Sequence, residues 1–332
     1  MNKTTVIHHS ADFDGIFCRE IARKFLPDAE LIGWDFGDAP VVIPAGTTSL
    51  YVMDLPCDKP FGFDYGTAKA EEMVYKAGGA DLIWIDHHKS SIESHPKNIP
   101  GYRIDGVAAC RLAYQWFALM KMTPNPEEIG LPDKEHYIDR KVVEPLAVRL
   151  AGEYDIWDKR DPRADILQFG LRSRELTDFD WKQLLTANYR PTIDELEALI
   201  AVGHDKNMLE PDGTSIPPVL WGLLDSGAIL QRYQHRTDAS VMGRSFLLEF
   251  EGLKFLALCT ARCNSLTFAA KDNPETGHDA LLGFYYDGRA WTIRMYHAEH
   301  RKDLDLSKIA VKYGGGGHRG ACGFKADKLP WL

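Results

Sequence analysis

Thr4-Thr5-Val6-Ile7-His8-His9-Ser10-Ala11-Asp12-Phe13-Asp14-Gly15, continued by Ile16 to Leu26, is the stretch that decides the fold. The β-branched run at 4–7 predicts a strand. Apolar residues at 17, 21, 22, 25 and 26 then keep to one face of a helix. A strand that passes through a short loop into a helix is the opening unit of a parallel α/β sheet. In such open sheets, ligands sit beyond the carboxyl ends of the strands. The histidine pair, Asp12 and Asp14 lie in that place. Asp12 also suits the cap of the helix, where a carboxylate accepts the unpaired first-turn amides.

The same theme recurs further along. Leu82-Ile83-Trp84-Ile85 is an apolar run that ends in Asp86-His87-His88, and Tyr51-Val52-Met53 ends in Asp54. Ala151 to Asp158 adds an acidic cluster around Asp155. Strands are predicted at 4–8, 29–34, 49–54 and 81–86, with helices near 15–26, 67–77, 107–121 and 139–151. Their alternation implies an α/β domain, a mostly parallel sheet flanked by helices. Pro191 precedes an amphipathic segment at 192–201, and Leu220 to Tyr233 reads as a connecting helix. Beyond about 243 the pattern turns to strands at 245–251, 253–258, 280–286 and 291–296, then a helix at 306–313 and Gly314-Gly315-Gly316-Gly317-His318. The expected organisation is a first domain over 1–205, a helical linker over 206–243 and a smaller α/β domain over 244–332.

Composition narrows the class of protein. At 332 residues, 45% hydrophobic and 26% charged, the chain has material for two soluble domains with ample core. No apolar run approaches the ~20 residues of a membrane span, and no signal-peptide pattern opens the chain. Six cysteines (18, 57, 110, 259, 263 and 322) form no Cys-x-x-Cys pair. A reducing cytoplasm is the expected location. The net charge of −9 argues against holding long duplex nucleic acid through a broad basic face. Residues 241–332 are mildly basic, with 13 Lys+Arg against 10 Asp+Glu, which suits an anionic substrate.

His8, Asp12, Asp14, Asp54, His87 and Asp155 together hold too many anions for one divalent cation and suit two. His8 and Asp12 are assigned to one ion, Asp14, His87 and Asp155 to the other, with Asp54 able to bridge. Oxygen-rich ligation with one imidazole per ion favours Mn2+, with Co2+, Fe2+ or Mg2+ as alternatives. Two such ions clamp the oxygens of a phosphoryl displacement and acidify a bridging water. His88 is left over, to contact a phosphate or protonate a leaving group, and Asp86 is placed to orient His87 or His88 by accepting a ring N–H. The glycine run lets backbone approach a phosphate, and successive amides can form an anion-binding nest beside His318 and Arg319. His95, His136, His204, His235, His278 and His300 have no partner at useful spacing and are expected on the surface. Trp84, Trp116 and Trp157 are expected in the core.

In order and context, His8-x-x-x-Asp12-x-Asp14, Asp54, Asp86-His87-His88 and Asp155 resemble the four motifs of the DHH phosphoesterase superfamily. Gly314 to His318, with Ala321 and Gly323-Phe324, resembles the glycine-rich signature of the DHH-associated C-terminal domain. The motifs run from residue 6 to residue 324, nearly the whole chain. The resemblance implies a Mn2+-dependent phosphoesterase with its active site in a cleft between two domains, Asp54 as the metal bridge and His88 as a phosphate contact. It favours His8 over His9 as the ligand. It also implies substrate binding by Arg294, Gly315, Gly316, Gly317, His318 and Arg319, although Met295 stands where relatives place Ser after the Arg.

The stand-alone two-domain members that this chain resembles are nano-RNases, 3′-phosphoadenosine 5′-phosphate (pAp) phosphatases and soluble dinucleotide phosphodiesterases. The expected substrate is a phosphorylated small molecule or short oligonucleotide, trimmed from one end. Exopolyphosphatase or soluble cyclic or linear dinucleotide phosphodiesterase activity is the alternative among enzymes, and a nucleotide-binding sensor the alternative outside them. A membrane partner is not expected, and a homodimer stays open.

Overall fold

The computed structural model describes residues 3–62, 79–95, 97–122, 143–158, 160–189, 215–269, 271–272 and 274–332. The expected helices at 67–77 and 192–201, the start of that at 139–151, and His136 and His204 lie outside these residues. The chain divides into two compact units, Met1–Ala228 and Ile229–Leu332.

The first unit runs β1 (Lys3–His9), α1 (Phe13–Phe25), β2 (Glu30–Trp34), β3 (Thr47–Met53) and β4 (Asp81–Ile85). Then follow α2 (Lys89–Ser94), α3 (Ala109–Met122), α4 (Leu146–Asp155), α5 (Arg163–Leu171) and α6 (Asp178–Leu184). The long helix α7 (Pro218–Met242) carries the chain across the division between the units. The four strands form one wholly parallel sheet in the order β2-β1-β3-β4. This is the predicted α/β architecture.

Alternation along each strand loads both faces of the sheet. Val6, Tyr51, Met53, Ile83 and Ile85 belong to a core shared with Phe17 and Ile21 of α1 and with α3, α4 and α5. Ile7, Leu50, Val52, Leu82 and Trp84 belong to a second core on the other face with Leu55 and Phe61. Gly15 lets α1 lie close on β1, since a Cβ there would stand 2.1 Å from the His9 carbonyl oxygen.

The strand order places the site. The chain leaves β1 through α1 to β2 on one side, and β3 then pairs with β1 on the other. Connections therefore depart in opposite directions between β1 and β3, which opens a crevice at their carboxyl ends. His9 ends β1, and Asp54 follows the last residue of β3.

The second unit continues from α7 with β5 (Phe246–Phe250), β6 (Leu253–Cys259), β7 (Ala280–Tyr286) and β8 (Trp291–His297). It closes with α8 (Ser307–Lys312), β9 (Gly316–His318) and β10 (Ala321–Ala326). These six strands form a mixed sheet, β5-β6-β7-β8-β10-β9, in which only β6 and β7 run parallel. Phe250, Phe255, Phe284, Ile293, Met295 and Phe324 build its main core with Leu306 and Ala310. Among the described residues no helix is long and apolar enough to cross a membrane.

Two local expectations change. Part of the glycine run is a strand: Gly316–His318 pairs antiparallel with β10. At Gly315 a Cβ would stand 2.1 Å from the Gly323 carbonyl oxygen, so the missing side chain serves close packing of backbone on backbone. Trp84 and Trp116 are buried, but Trp157 is 59% exposed with a left-handed φ of 57°. Trp157 lies just beyond the end of α4, where the chain turns out of the core.

Candidate metal centre

Six side chains converge at the carboxyl ends of β1, β3 and β4, and each is held by the fold that delivers it. Asp12 caps α1, its Oδ1 accepting the Gly15 amide at 3.0 Å, while its Oδ2 lies 2.9 Å from His9 Nδ1. The cap and the cluster thus use different oxygens of one carboxylate. Asp14, in the first turn of α1, is fully buried and accepts the amides of Ala109 and Cys110 at the start of α3, both at 2.8 Å. The unpaired amides and positive end of α3 fix this carboxylate in place.

Asp54 stands at the centre. Its Oδ2 lies 3.3 Å from His9 Nδ1 and its Oδ1 3.4 Å from His87 Nε2. It adopts φ 58°, an uncommon backbone state for a residue with a side chain, and its backbone N–H donates to the Ile85 carbonyl at 2.9 Å. Around His87 Nε2 also gather Asp155 Oδ2 at 3.2 Å and Asp14 Oδ2 at 3.6 Å. Among the described residues here, the groups that can share an ion are His9, Asp12 and Asp54 on one side, Asp14, His87 and Asp155 on the other, and Asp54, His87 and His88 as a third combination.

Of the two histidines that end β1, either of which the sequence allowed as a ligand, the structure places His9 rather than the expected His8 beside Asp12 and Asp54. The pleat of β1 sends successive side chains to opposite faces, and only His9 faces Asp12 and Asp54. His8 is buried beside Gly33 of β2, and its Nδ1 donates to the His9 carbonyl at 2.7 Å. Burial pulls its pKa down to about 4.

The electrostatics call for positive charge. Burial and the neighbouring Asp54 push Asp14 up to about 7, and burial with Asp14 does the same to Asp155. Burial disfavours the charged forms of His9 and His87. The surrounding carboxylates outweigh it, Asp12 and Asp54 raising His9 to about 11, and Asp54, Asp14 and Asp155 raising His87 to about 10. Among the described residues, the buried His9 Nδ1 and Asp54 Oδ2 find no hydrogen-bond partner, although they are 3.3 Å apart. Close but misaligned donor atoms are what a shared cation leaves, and buried carboxylates at this density are costly without one. The donor set fits divalent cations with oxygen and imidazole ligation.

Asp86 and His88 flank the cluster. Asp86 is buried, and its Oδ1 accepts the backbone amides of His87 (2.8 Å) and His88 (3.3 Å) and the His88 ring Nδ1–H (2.7 Å). Of the two imidazoles it was expected to serve, Asp86 orients His88. Burial opposes the charge on His88, but the bond to Asp86 prevails and lifts its pKa above the usual imidazole range.

In the second unit, Arg294, Gly315, Gly316 and Gly317 line a cavity of about 710 Å³ together with Tyr296 and Phe324. Arg294 donates to the Cys263 carbonyl at 3.5 Å and stands over the Tyr285 ring, and among the described residues it has no carboxylate ion pair. His318 and Arg319 are not in the cavity wall. Both are exposed near the β9–β10 turn, where Arg319 donates to the Asp303 carbonyl at 2.9 Å.

Three histidines depart from their expected surface place or isolation. His95 is buried and pairs with Asp58 at 2.9 Å, and His278 is buried against Asp272 at 3.1 Å, with the exposed His300 beside it. His235 is exposed.

Comparison with known proteins finds no matching family model and no matching curated protein. Among solved structures, the chain is similar to the pGpG-specific phosphodiesterase PggH from Vibrio cholrae, at 14% identity over 98% of this chain and 94% of that one, TM-score 0.45. It is similar to a DHH domain described as a member of the s1p family of ribosomal proteins, at 13% identity over 98% and 83% of the two chains, TM-score 0.49. It is also similar to RecJ in complex with Mn2+ from Thermus thermophilus, at 14% identity and TM-score 0.42, over 98% of this chain and 50% of RecJ.

Proposed function

We propose that this chain is a metal-dependent phosphoesterase of the DHH superfamily, of the nano-RNase or pAp-phosphatase type, that hydrolyses phosphate esters of short nucleotides. The observation that carries the reading is Asp54, which turns one oxygen toward His9 and the other toward His87, so that its carboxylate could serve two ion sites. His9 and Asp12 would hold one divalent cation, and Asp14, His87 and Asp155 the second, with Mn2+ the best match to the donors. When bound, such a pair supplies an acidified water and neutralises phosphate charge.

The chain's own residues do the rest. The amides of Ala109 and Cys110 fix Asp14, so that its carboxylate does not have to reorganise during turnover. Asp86 holds His88 by Nδ1, which leaves Nε2 to bind a phosphate oxygen or to give a proton to the leaving group. Trp157, exposed two residues beyond Asp155 and stacked against Tyr154, is the aromatic that would meet a nucleobase in this reading. The cavity that Arg294 shares with the glycine run suits a terminal phosphate, through the charge of the guanidinium and the close approach that glycine backbone allows. In this reading residues 1–205 are catalytic, 206–243 a linker and 244–332 substrate-binding.

The Mn2+-loaded protein given a 5′-phosphorylated dinucleotide should release mononucleotides, and a chelator should stop it. No release from the dinucleotide, pAp, cyclic dinucleotides, pyrophosphate or polyphosphate would leave only nucleotide binding, and the enzymatic reading would fail.

A further inference from the structure

In the second unit, a group of side chains that the phosphoesterase reading does not use is arranged as metal ligands are. Asp272, His278 and His300 bring one carboxylate oxygen and two imidazole nitrogens within 4.8 Å of one another. They come from separate segments, Asp272 and His278 from the stretch before β7, and His300 from the turn after β8. The His278 side chain is wholly buried and Asp272 mostly so, while His300 is exposed.

Each of the three has an atom tied down by a neighbour. His278 Nδ1 hydrogen-bonds Thr276 Oγ1. Asp272 Oδ2 accepts the Glu299 amide at 3.1 Å, and His300 Nε2 donates to the His278 carbonyl at 2.9 Å. Anchoring the far atom is how imidazole and carboxylate ligands are aimed at an ion. His278 Nε2 faces Asp272 Oδ1 at 3.1 Å, a separation at which an imidazole nitrogen and a carboxylate oxygen can both reach one small ion about 2 Å from each.

We propose that Asp272, His278 and His300 form a metal site separate from the strand-end cluster, taking a borderline divalent transition ion, Zn2+ first, with solvent in the fourth position. Two imidazoles and one carboxylate are a donor set that suits Zn2+ and leaves one coordination place open. Such an ion would fasten the segment before β7 to the turn after β8. The proposal is independent of the phosphoesterase reading, because its residues and its readout differ.

The test counts Zn2+ bound to the full chain by atomic absorption, after equilibration with Zn2+ alone. In an Asp54→Asn, His87→Asn background, which disables the strand-end cluster, one Zn2+ per chain should remain. Adding the exposed change His300→Ala should weaken that binding at least tenfold. Co2+ in place of Zn2+ should show a visible absorption band that His300→Ala alters. In the otherwise wild-type chain, His300→Ala should lose one ion and leave dinucleotide hydrolysis within twofold. Absence of the residual Zn2+ in that background would overturn the site, as would affinity that neither His300→Ala nor Asp272→Asn changes.

Discussion

The two units handle their polar groups in opposite ways. At the strand ends of the first, carboxylates and imidazoles are buried together with poor hydrogen-bond alignment, and the buried atoms His9 Nδ1, Asp54 Oδ2 and Asp86 Oδ2 find no hydrogen-bond partner among the described residues. In the second, the glycine run is absorbed into backbone pairing, and its cavity is lined by that run and by one arginine without a carboxylate pair among the described residues. The first arrangement is expensive unless cations complete it, whereas the second is stable as it stands and, in the proposed reading, would select by shape and positive potential. Chemistry and recognition are thus expected to fail separately.

The largest effect should come from the first unit. Asp54→Asn removes the carboxylate that faces both ligand sets, and Mn2+ stoichiometry by atomic absorption should fall together with a loss of turnover on the order of 10³-fold or more, as for groups that act as one unit. Next is the histidine pair. His9→Gln should cost about 100-fold in activity or metal affinity, while His8→Gln should lower the melting temperature and keep both ions. The reverse ranking would restore His8 as the ligand.

In the second unit, Gly315→Ala forces a Cβ to within 2.1 Å of the Gly323 carbonyl oxygen. A backbone shift of that kind should destabilise the unit by about 3 kcal/mol in denaturant unfolding while leaving Mn2+ stoichiometry intact. A smaller effect is expected at Trp157. Trp157→Ala should raise KM for a dinucleotide about tenfold, the worth of one stacked base, and leave kcat nearly unchanged. An equal loss with a base-free phosphate ester would show that the ring does not stack on a base.

The smallest effect tests the His95–Asp58 pair. Burial works against the charged imidazole, but the bond to Asp58 raises its folded pKa above the unfolded value. The stabilisation is therefore fully present below the unfolded value of about 6.5 and fades as pH rises through the folded one. Melting curves should show His95→Gln losing more stability at pH 5 than at pH 9, and a pH-independent loss would mean that the pair is not ionic.

Much of this was legible in the sequence because parallel strands buried on both faces read as apolar runs, and a carboxylate or imidazole closing such a run is conspicuous. Asp54 and His87 announced themselves in that way, Asp12 and Asp14 in the loop and first helical turn that follow such a run, and Asp155 in an acidic cluster at the end of a helix. The choice of His9 over His8 did not, because it turns on which face the last residue of β1 takes. The anchoring of Asp14 by Ala109 and Cys110 spans 95 and 96 residues of chain and leaves no local mark. The short helices α2, α5 and α6 carry too few turns for a clear period. His278 and Asp272 meet across a loop with no periodicity at all. Trp157 misleads by type, since a large apolar side chain signals core until the left-handed turn after α4 directs it outward.

The most direct test of the account is the anomalous scattering of crystals grown with Mn2+. Two peaks are expected, one beside His9 and Asp12 and one among Asp14, His87 and Asp155, with Asp54 between them and His8 touching neither. A single peak, or none at Asp54, would contradict the two-ion centre and with it the proposed chemistry.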